Sequence, residues 1–275
     1  MNFAEYTQLD AVNASTLKEL ANKSPRHYQW LLSHPHEETA AMRFGTAVHA
    51  AVLEPDKFAK CYVGAPRKMD YRKTDDKQWR DEQLEAGRII LDVNDAEKIA
   101  GIVSAIQGHP FARDLLRGGE TELTLLWTDE TTGIPCKGRC DLLTGGGTIL
   151  VDLKTTTDIR RNEFMRKVLN YGYALSMAFY LDGLRAQGYN IEHVYLLAVE
   201  TSGPFDVAPY ELDDNWLELG RAQYQEALEK LAACRERNVW PGMVPSRDWL
   251  PFPKWAVPDE EKDALEGLEF DGGEE

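Results

Sequence analysis

Long apolar runs are absent from this sequence. No hydrophobic stretch approaches the roughly 18 residues that a membrane-spanning helix requires. The first residues also lack the basic segment followed by an apolar segment that marks a secretory signal peptide. We therefore expect a cytoplasmic protein that has no membrane partner.

Cysteine and positive charge are scarce as well. The four cysteines, Cys61, Cys136, Cys140 and Cys234, are scattered, so no secreted disulfide framework is indicated. The 31 Lys and Arg residues are outnumbered by 46 Asp and Glu residues, which gives a formal net charge of −15. This balance excludes a protein that coats DNA through a generally basic surface. A nucleic acid would have to bind in a local basic channel or through metal ions.

The acidic excess is concentrated at one end of the chain. Residues 258–275 hold nine acidic residues and one lysine, and we expect this acidic tail to be disordered. Hydrophobic residues make up 43% of the 275-residue chain, which is enough for a substantial core. We therefore predict one large domain over residues 1–257.

The first part of this domain, at about 13–117, has helical periodicity. Residues 64–82 are rich in charge and lack periodicity, and they are predicted to form a long, mobile loop. The predicted helices include one capped by Ser15, one over 38–53 and one over 95–107 that is capped by Asn94.

Strand character begins at about residue 119 and continues to about residue 212. Three alternating segments separated by glycine-containing turns predict a β-meander. Helices and two more strands follow, and a C-terminal helix is predicted at about 213–235. The order predicts the α/β class, with a central mixed sheet, a three-stranded meander core and flanking helices. The predicted strands are 120–127, 134–143, 148–154, 194–200 and 206–210, and the predicted helices between them are 162–168 and 171–187.

Two acidic residues and a lysine stand at the ends of neighbouring meander strands. Asp152 and Lys154 are two apart on one strand, so they point to the same face of the sheet. Hairpin pairing would bring Asp141 beside them. Two converging carboxylates are costly unless they bind a cation or are otherwise compensated, and hard oxygen ligands suit Mg²⁺ or Mn²⁺. An exposed cross-strand ion pair is the alternative interpretation of the same residues.

Four blocks of sequence extend this motif, and together they identify a family resemblance. The chain resembles the PD-(D/E)xK nuclease superfamily in its RecB-like branch, and most closely the RecE (exonuclease VIII) nuclease domain and its phage-encoded relatives. The resemblance implies a restriction-endonuclease-like fold. The blocks are Phe-Gly-Thr-Ala-Val-His at 44–49 with Leu-Glu-Pro-Asp-Lys-Phe at 53–58, Lys-Gly-Arg-Cys-Asp at 137–141, Val-Asp-Leu-Lys-Thr at 151–155, and Ala-Phe-Tyr-Leu-Asp-Gly at 178–183.

The resemblance implies a role for each matching residue. His49, Asp141 and Asp152 fall on metal ligands, together with the backbone carbonyl of Leu153. Lys154 falls on the lysine that orients or deprotonates the attacking water. The implied cofactor is Mg²⁺, for which Mn²⁺ can substitute. The cysteine spacing does not match the four-cysteine iron–sulfur cluster of some relatives, so no such cluster is expected.

Further residues are implied at the catalytic centre and along the DNA. Glu122 corresponds to an acid that could hold a metal-bound water, or else it is an ordinary exposed strand residue. The family's Gln-x-x-x-Tyr motif appears with Ser176 in place of glutamine and with Tyr180 retained, which puts the glutamine's role in doubt. The residues expected to contact DNA are Arg139, Arg160, Arg161, Ser176 and Tyr180, with Arg166 and Lys167 in the same basic group.

The resemblance implies a metal-dependent exonuclease that degrades linear duplex DNA in the 5′-to-3′ direction. Its partners would be duplex DNA ends, a single-strand annealing protein and, in a ring-like homo-oligomer, other copies of the chain. A structure-specific or restriction-like endonuclease is one alternative. A non-catalytic DNA-binding protein that retains the fold is the other, and degenerate motifs would favour it.

Overall fold

The computed structural model describes residues 3–34 and 37–244, together with positions 246, 248 and 250. The predicted acidic tail at 258–275 lies outside the described residues. The helices are α1 Phe3–Gln8, α2 Ala14–Asn22, α3 Pro25–Ser33, α4 Ala40–Leu53, α5 Pro55–Cys61, α6 Thr74–Glu85, α7 Val93–Gly108, α8 Pro110–Leu115, α9 Arg161–Asn170, α10 Tyr173–Ala186 and α11 Asp214–Arg237. The strands are β1 Tyr62–Gly64, β2 Ile89–Leu91, β3 Glu120–Thr128, β4 Pro135–Thr144, β5 Ile149–Thr156, β6 His193–Glu200 and β7 Val207–Glu211.

The central sheet has the strand order β3-β4-β5-β6-β7. Its first three strands form the antiparallel meander, β6 joins β5 in parallel, and β7 returns antiparallel to β6. A separate parallel pair, β1 with β2, lies outside this sheet. The predicted α/β class, with a mixed sheet built on a meander, is confirmed.

Helices cover both faces of the sheet. Successive side chains of β5 point alternately to one face and to the other. Leu150 packs with α9 and α10, whereas Val151 and Leu153 pack with α4 and α7. Asp152 and Lys154 therefore lie on the α10 side. The alternation on β4 is interrupted, because Cys140 belongs to the α10 side and Leu142 to the α4 side. Asp141 lies at this interruption.

The N-terminal segment is held against β4. Val12 bridges Cys136, its N–H donates to the Pro135 carbonyl at 2.9 Å, and its carbonyl accepts from the Lys137 N–H at 2.7 Å. The buried ammonium of Lys137 also donates to the Leu9 carbonyl at 2.8 Å. This segment therefore fixes the start of α2 beside the sheet.

Two packed helices form the support on the α10 side. A Cβ added at Gly220 in α11 would lie 2.1 Å from the Ala174 carbonyl oxygen in α10, so the absence of a side chain permits this approach. The Asp182 carboxylate accepts from Arg221 Nε at 2.7 Å and from the Tyr224 hydroxyl at 2.6 Å. These contacts fix α10 relative to α11.

Three local predictions are wrong. Residues 64–82 are not one long loop, because α6 begins at Thr74. Asp76 is buried in its first turn and accepts from the Asp70 N–H at 2.6 Å and from the Arg67 side chain, so tertiary contacts stabilise a helix that lacks an apolar stripe. Asn13, not Ser15, caps α2, because its side chain accepts from the Thr16 N–H at 2.9 Å. Asp92, not Asn94, caps α7 in the same way, at 2.8 Å from the Asp95 N–H.

Candidate metal and catalytic site

The site lies where two strands of the meander separate. Regular pairing between β4 and β5 covers only Leu142–Thr144 and Ile149–Val151. Beyond it, the Leu153 backbone N–H donates to Asp141 Oδ2 at 2.8 Å. The Asp141 side chain thus occupies the space between the two strands, beside Leu153 of β5.

Asp152 and Lys154 form an ion pair on the α10 face of β5. Asp152 is buried at 5% exposure, and Lys154 is partly buried. Burial raises the pKa of Asp152, the nearby Asp141 adds to this effect, and Lys154 opposes it. Burial opposes the charged form of Lys154, but Asp152 and Asp141 outweigh it, so the pKa of the lysine is raised. Lys154 is therefore an ammonium group in this arrangement.

Three ligand side chains converge from three different elements. His49 on α4, Glu122 on β3 and Asp141 on β4 each offer a nitrogen or oxygen atom, and these atoms lie within 4.8 Å of one another. His49 Nδ1 is 3.4 Å from Asp141 Oδ2. Burial disfavours the imidazolium form of His49, but the negative charge of Asp141 has the larger effect, so the pKa of His49 is raised. Burial likewise opposes ionisation of Asp141, but His49 has the larger effect, so the pKa of that carboxyl is lowered.

This nitrogen and oxygen donor set fits a divalent cation such as Mg²⁺ or Mn²⁺. The two carboxylates and the imidazole beside them are all partly buried, and Arg139, which pairs with Glu122, and His49, which faces Asp141, balance the charge of the carboxylates. A divalent cation bound among them would supply positive charge to the same carboxylates. The predicted metal residues His49, Asp141 and Asp152 are all at the site, as is the Leu153 backbone. The structure groups Glu122 with His49 and Asp141, whereas Asp152 is turned to Lys154.

Glu122 reaches this position through an unusual backbone conformation. Its φ is 53°, in the left-handed region that residues with a Cβ rarely adopt. The neighbouring pairs Thr121–Leu142 and Leu123–Cys140 keep the β3–β4 register, so Glu122 stands opposite Asp141. Arg139 Nε donates to Glu122 Oε2 at 2.5 Å. Strain of this kind is typical of residues that have a function in the site.

Of the two residues at the Gln-x-x-x-Tyr motif positions, Ser176 is buried and Tyr180 is partly buried. Ser176 is 6% exposed, and its hydroxyl donates to the Gly172 carbonyl at 3.5 Å, so its side chain packs against the backbone of its own helix and its DNA contact stays a prediction. The Tyr180 ring lies against Gly138, where an added Cβ would be 3.0 Å from the ring. Burial, and then the charge of Asp152, raises the pKa of Tyr180 and keeps its hydroxyl neutral.

The predicted DNA-contacting arginines differ in their surroundings. Arg139 lies within the site, paired with Glu122. Arg160 is exposed, and it pairs with Asp158. Arg161 is exposed at the start of α9, and none of the ion pairs seen among the described residues includes it. Their DNA contacts stay predictions.

A groove of about 540 Å³ opens onto two of the candidate metal ligands, His49 and Glu122. Its walls combine polar groups from the site with small and apolar residues of α4, so the candidate ligands are accessible from this side. The lining residues are Met42, Gly45, Thr46, His49, Ala50, Glu54, Lys57, Tyr62, Glu122 and Arg139.

Sequence reasoning missed two residues that lie near Lys154. Tyr173, the first residue of α10, places its ring centroid 5.1 Å from Lys154 Nζ. Lys18 on α2 lies 5.8 Å from the centroid of the same ring. No spacing in the sequence connects positions 18, 154 and 173, because only the docking of α2 against α10 brings them together.

Comparison with known families and structures supports the same fold. Residues 13–247 match the family described as a PDDEXK-like domain of unknown function, DUF3799. Proteins with curated functions provide no match to the sequence. Among the described residues, none of the helices combines the length and the apolar character needed to cross a bilayer.

Two solved structures illustrate the similarity. A protein from Eubacterium rectale, provisionally described as an exonuclease, superposes with a TM-score of 0.63 at 15% identity, and the match covers 97% of each chain. A phage-related exonuclease from Haemophilus somnus 129PT gives a TM-score of 0.36 at 12% identity, with 83% of this chain and 96% of that chain covered. The first similarity shows a shared fold.

Proposed function

Because this chain belongs to the PDDEXK-like family DUF3799, we propose that it is a divalent-metal-dependent deoxyribonuclease that degrades linear duplex DNA from an end. The observation that carries the proposal is the convergence of His49, Glu122 and Asp141 at the point where β4 and β5 separate, with the Asp152–Lys154 pair beside them. An exposed cross-strand ion pair would not be buried or adjoin a second carboxylate.

The residues around this point divide the chemistry between them. His49, Glu122, Asp141 and Asp152 would hold the metal, which would supply Lewis-acid polarisation of the scissile phosphodiester. Lys154, as an ammonium, orients the attacking water and stabilises the negative charge that develops on the phosphate. Hydrolysis forms a bond between the water oxygen and phosphorus and breaks the bond from phosphorus to the leaving oxygen, which takes up a proton.

An exonuclease is favoured over an endonuclease by the charge distribution. The chain has a net charge of −15, and the exposed basic residue Arg161 begins α9, the helix that follows β5. Repulsion elsewhere favours threading of a DNA end into a confined site over adhesion along a duplex. Digestion from 5′ to 3′ would leave a 3′ single strand, the substrate of a strand-annealing protein in recombination. A ring-like homo-oligomer would retain the duplex during digestion.

The test uses linear duplexes labelled at the 5′ or the 3′ end, incubated with Mg²⁺ or with EDTA. We expect mononucleotide release from the 5′ label with Mg²⁺ and none with EDTA. A covalently closed circular plasmid is the matched control, because an exonuclease leaves it intact. Cleavage of the circle would establish an endonuclease, and metal-independent or absent cleavage of every substrate would contradict the proposal.

A further inference from the structure

One aromatic ring connects two lysines from distant parts of the chain. Lys154 Nζ on β5 lies 5.1 Å from the centroid of the Tyr173 ring, and Lys18 Nζ on α2 lies 5.8 Å from the same centroid. The two ammonium groups are therefore separated by no more than the sum of these distances. Successive phosphates of one nucleic-acid strand can bridge such a span.

Lys18 is held in this place by packing. A Cβ added at Gly172 would lie 3.0 Å from Lys18 Cδ and 3.1 Å from its Cγ, so the aliphatic stem of the lysine covers the glycine before α10. Gly172 has a φ of 61°, and this left-handed turn sets the direction in which α10 begins. The position of the ammonium is thus fixed by two elements.

Lys18 differs from Lys154 in its electrostatic surroundings. None of the ion pairs formed among the described residues includes Lys18, whereas Lys154 has Asp152 as its partner. Burial, and then the charge of Lys154, lowers the pKa of Lys18 to about 8, although the Asp152 carboxylate opposes both effects. A second positive charge beside the catalytic lysine is unfavourable unless an anion compensates it. The Tyr173 ring contributes a cation–π contact, which compensates only a small part of a full charge.

We propose that Lys18 and Tyr173 form a binding site for the DNA phosphate next to the scissile one, while Lys154 serves the scissile phosphate itself. This inference rests on the proposed nuclease function. Asp152 is the one carboxylate that acts on Lys18, and it is already paired with Lys154. A phosphate diester would supply a second negative charge, and the three N–H donors of an ammonium group can bind it in several orientations. Lys18 is then a substrate-positioning residue that sets the register of the strand in the site.

The first experiment compares Lys18 of α2 with Lys23, the residue that caps the C-terminus of the same helix. Lys18→Met keeps the stem that covers Gly172 and removes the charge. Lys23→Met is the matched control, because Lys23 lies at the end of α2 and pairs with Glu19 at 2.8 Å. Binding of a short duplex is measured in EDTA over a range of salt concentrations. For Lys18→Met we expect about a tenfold loss of affinity at low salt and a decrease of about 0.9 in the slope of log K against log salt.

Lys18→Arg and unfolding measurements separate the charge from the packing. We expect Lys18→Arg to retain the slope, because the positive charge remains, and Lys18→Met to unfold at the same denaturant concentration as the native protein. Equal slopes for Lys18→Met, Lys23→Met and the native chain would overturn the inference. Loss of slope accompanied by loss of stability would assign Lys18 a structural role and would also overturn it.

The second experiment identifies the phosphate. Neutral methylphosphonate linkages are introduced one at a time around the cleavage point, and duplex affinity is measured in EDTA. The native protein is expected to lose affinity at the linkage beside the scissile one, and Lys18→Met is expected to show no further loss at that linkage. If the same linkage still weakens Lys18→Met, another group binds that phosphate and the inference is wrong. If the native protein neither binds nor cleaves DNA, the proposed function fails as well.

Discussion

The Leu153 backbone N–H donates to Asp141 Oδ2 at 2.8 Å, immediately beyond the last regular pair between β4 and β5. This hydrogen bond to Asp141 Oδ2 therefore connects β4 and β5 at the point where their regular pairing has ended. The same oxygen is 3.4 Å from His49 Nδ1. The separation of the strands, the orientation of Asp141 and the position of the histidine are consequently parts of one arrangement.

Asp152→Asn is expected to weaken metal binding and abolish most cleavage. The substitution preserves shape but removes a negative charge next to the ligand group, and the full charge is what attracts a hard cation. Titration with Mn²⁺ by calorimetry and cleavage of an end-labelled duplex measure the two effects. Asp158→Asn is the control, because Asp158 lies two residues beyond the end of β5 and pairs with the exposed Arg160. If Asp152→Asn binds metal with normal affinity, Asp152 is only the ion-pair partner of Lys154 and not a metal ligand.

Lys154→Ala is expected to retain or tighten metal binding, because a competing cation is gone. Its cleavage rate should nevertheless fall by a factor of about 10²–10³, the usual effect of removing one preorganised group that stabilises a developing negative charge. Lys154→Arg distinguishes two roles of the lysine. If Lys154 is a general base, the arginine variant should cleave no faster than Lys154→Ala, since guanidinium keeps its proton. If the role is purely electrostatic, the arginine variant should recover part of the cleavage rate. The same calorimetric and end-label assays apply. Near-native cleavage by Lys154→Ala is incompatible with the proposed site.

Glu122→Gly and Glu122→Ala should differ in stability but not in metal affinity. Both variants lose the carboxylate that lies near His49 and Asp141. Glycine adopts a φ of 53° without strain, so the glycine variant should be more stable to urea by about 1 kcal/mol. Calorimetry with Mn²⁺ should show equal weakening in the two variants. Equal unfolding free energies would indicate that the left-handed backbone at this position is not maintained in solution.

Mg²⁺ and Mn²⁺ are expected to support cleavage, and Ca²⁺ is expected to inhibit it. A site that contains His49 suits Mn²⁺ better than Ca²⁺, whose larger and looser coordination shell would misplace the substrate. All three ions should nevertheless raise the unfolding temperature, because each relieves repulsion between the carboxylates. Thermal unfolding and duplex cleavage are measured side by side with each ion. Robust cleavage in Ca²⁺ alone would contradict the assignment of the ligands.

Gly220→Ala is expected to destabilise the fold by about 2–3 kcal/mol. The new Cβ would lie 2.1 Å from the backbone oxygen of Ala174, so α10 or α11 would have to move. Gly108→Ala is the control, because no atom lies within 4 Å of a Cβ at that position near the end of α7. Urea unfolding of both variants gives the comparison. A similar free energy for both would mean that the two helices are not closely packed.

The strands and the chemical motif were predictable because short-range patterns determine them. Alternation identified the three meander strands, and it correctly placed Asp152 and Lys154 on one face. Long-range contacts account for what was missed. Helix α6 depends on buried Asp76, and the Glu122 conformation depends on its surroundings in the site. The proximity of Lys18 to Lys154 follows from helix docking, which no local pattern encodes.

The bridge between Val12 and Cys136 has a consequence for solubility. Where β5 leaves β4, the backbone groups of β4 would become an open edge in the middle of the sheet, and open edges recruit strands from other molecules. The segment around Val12 fills those hydrogen-bonding positions. Substitutions that release this segment should therefore cause self-association together with loss of the α2 position, so that light scattering would increase as DNA binding declines.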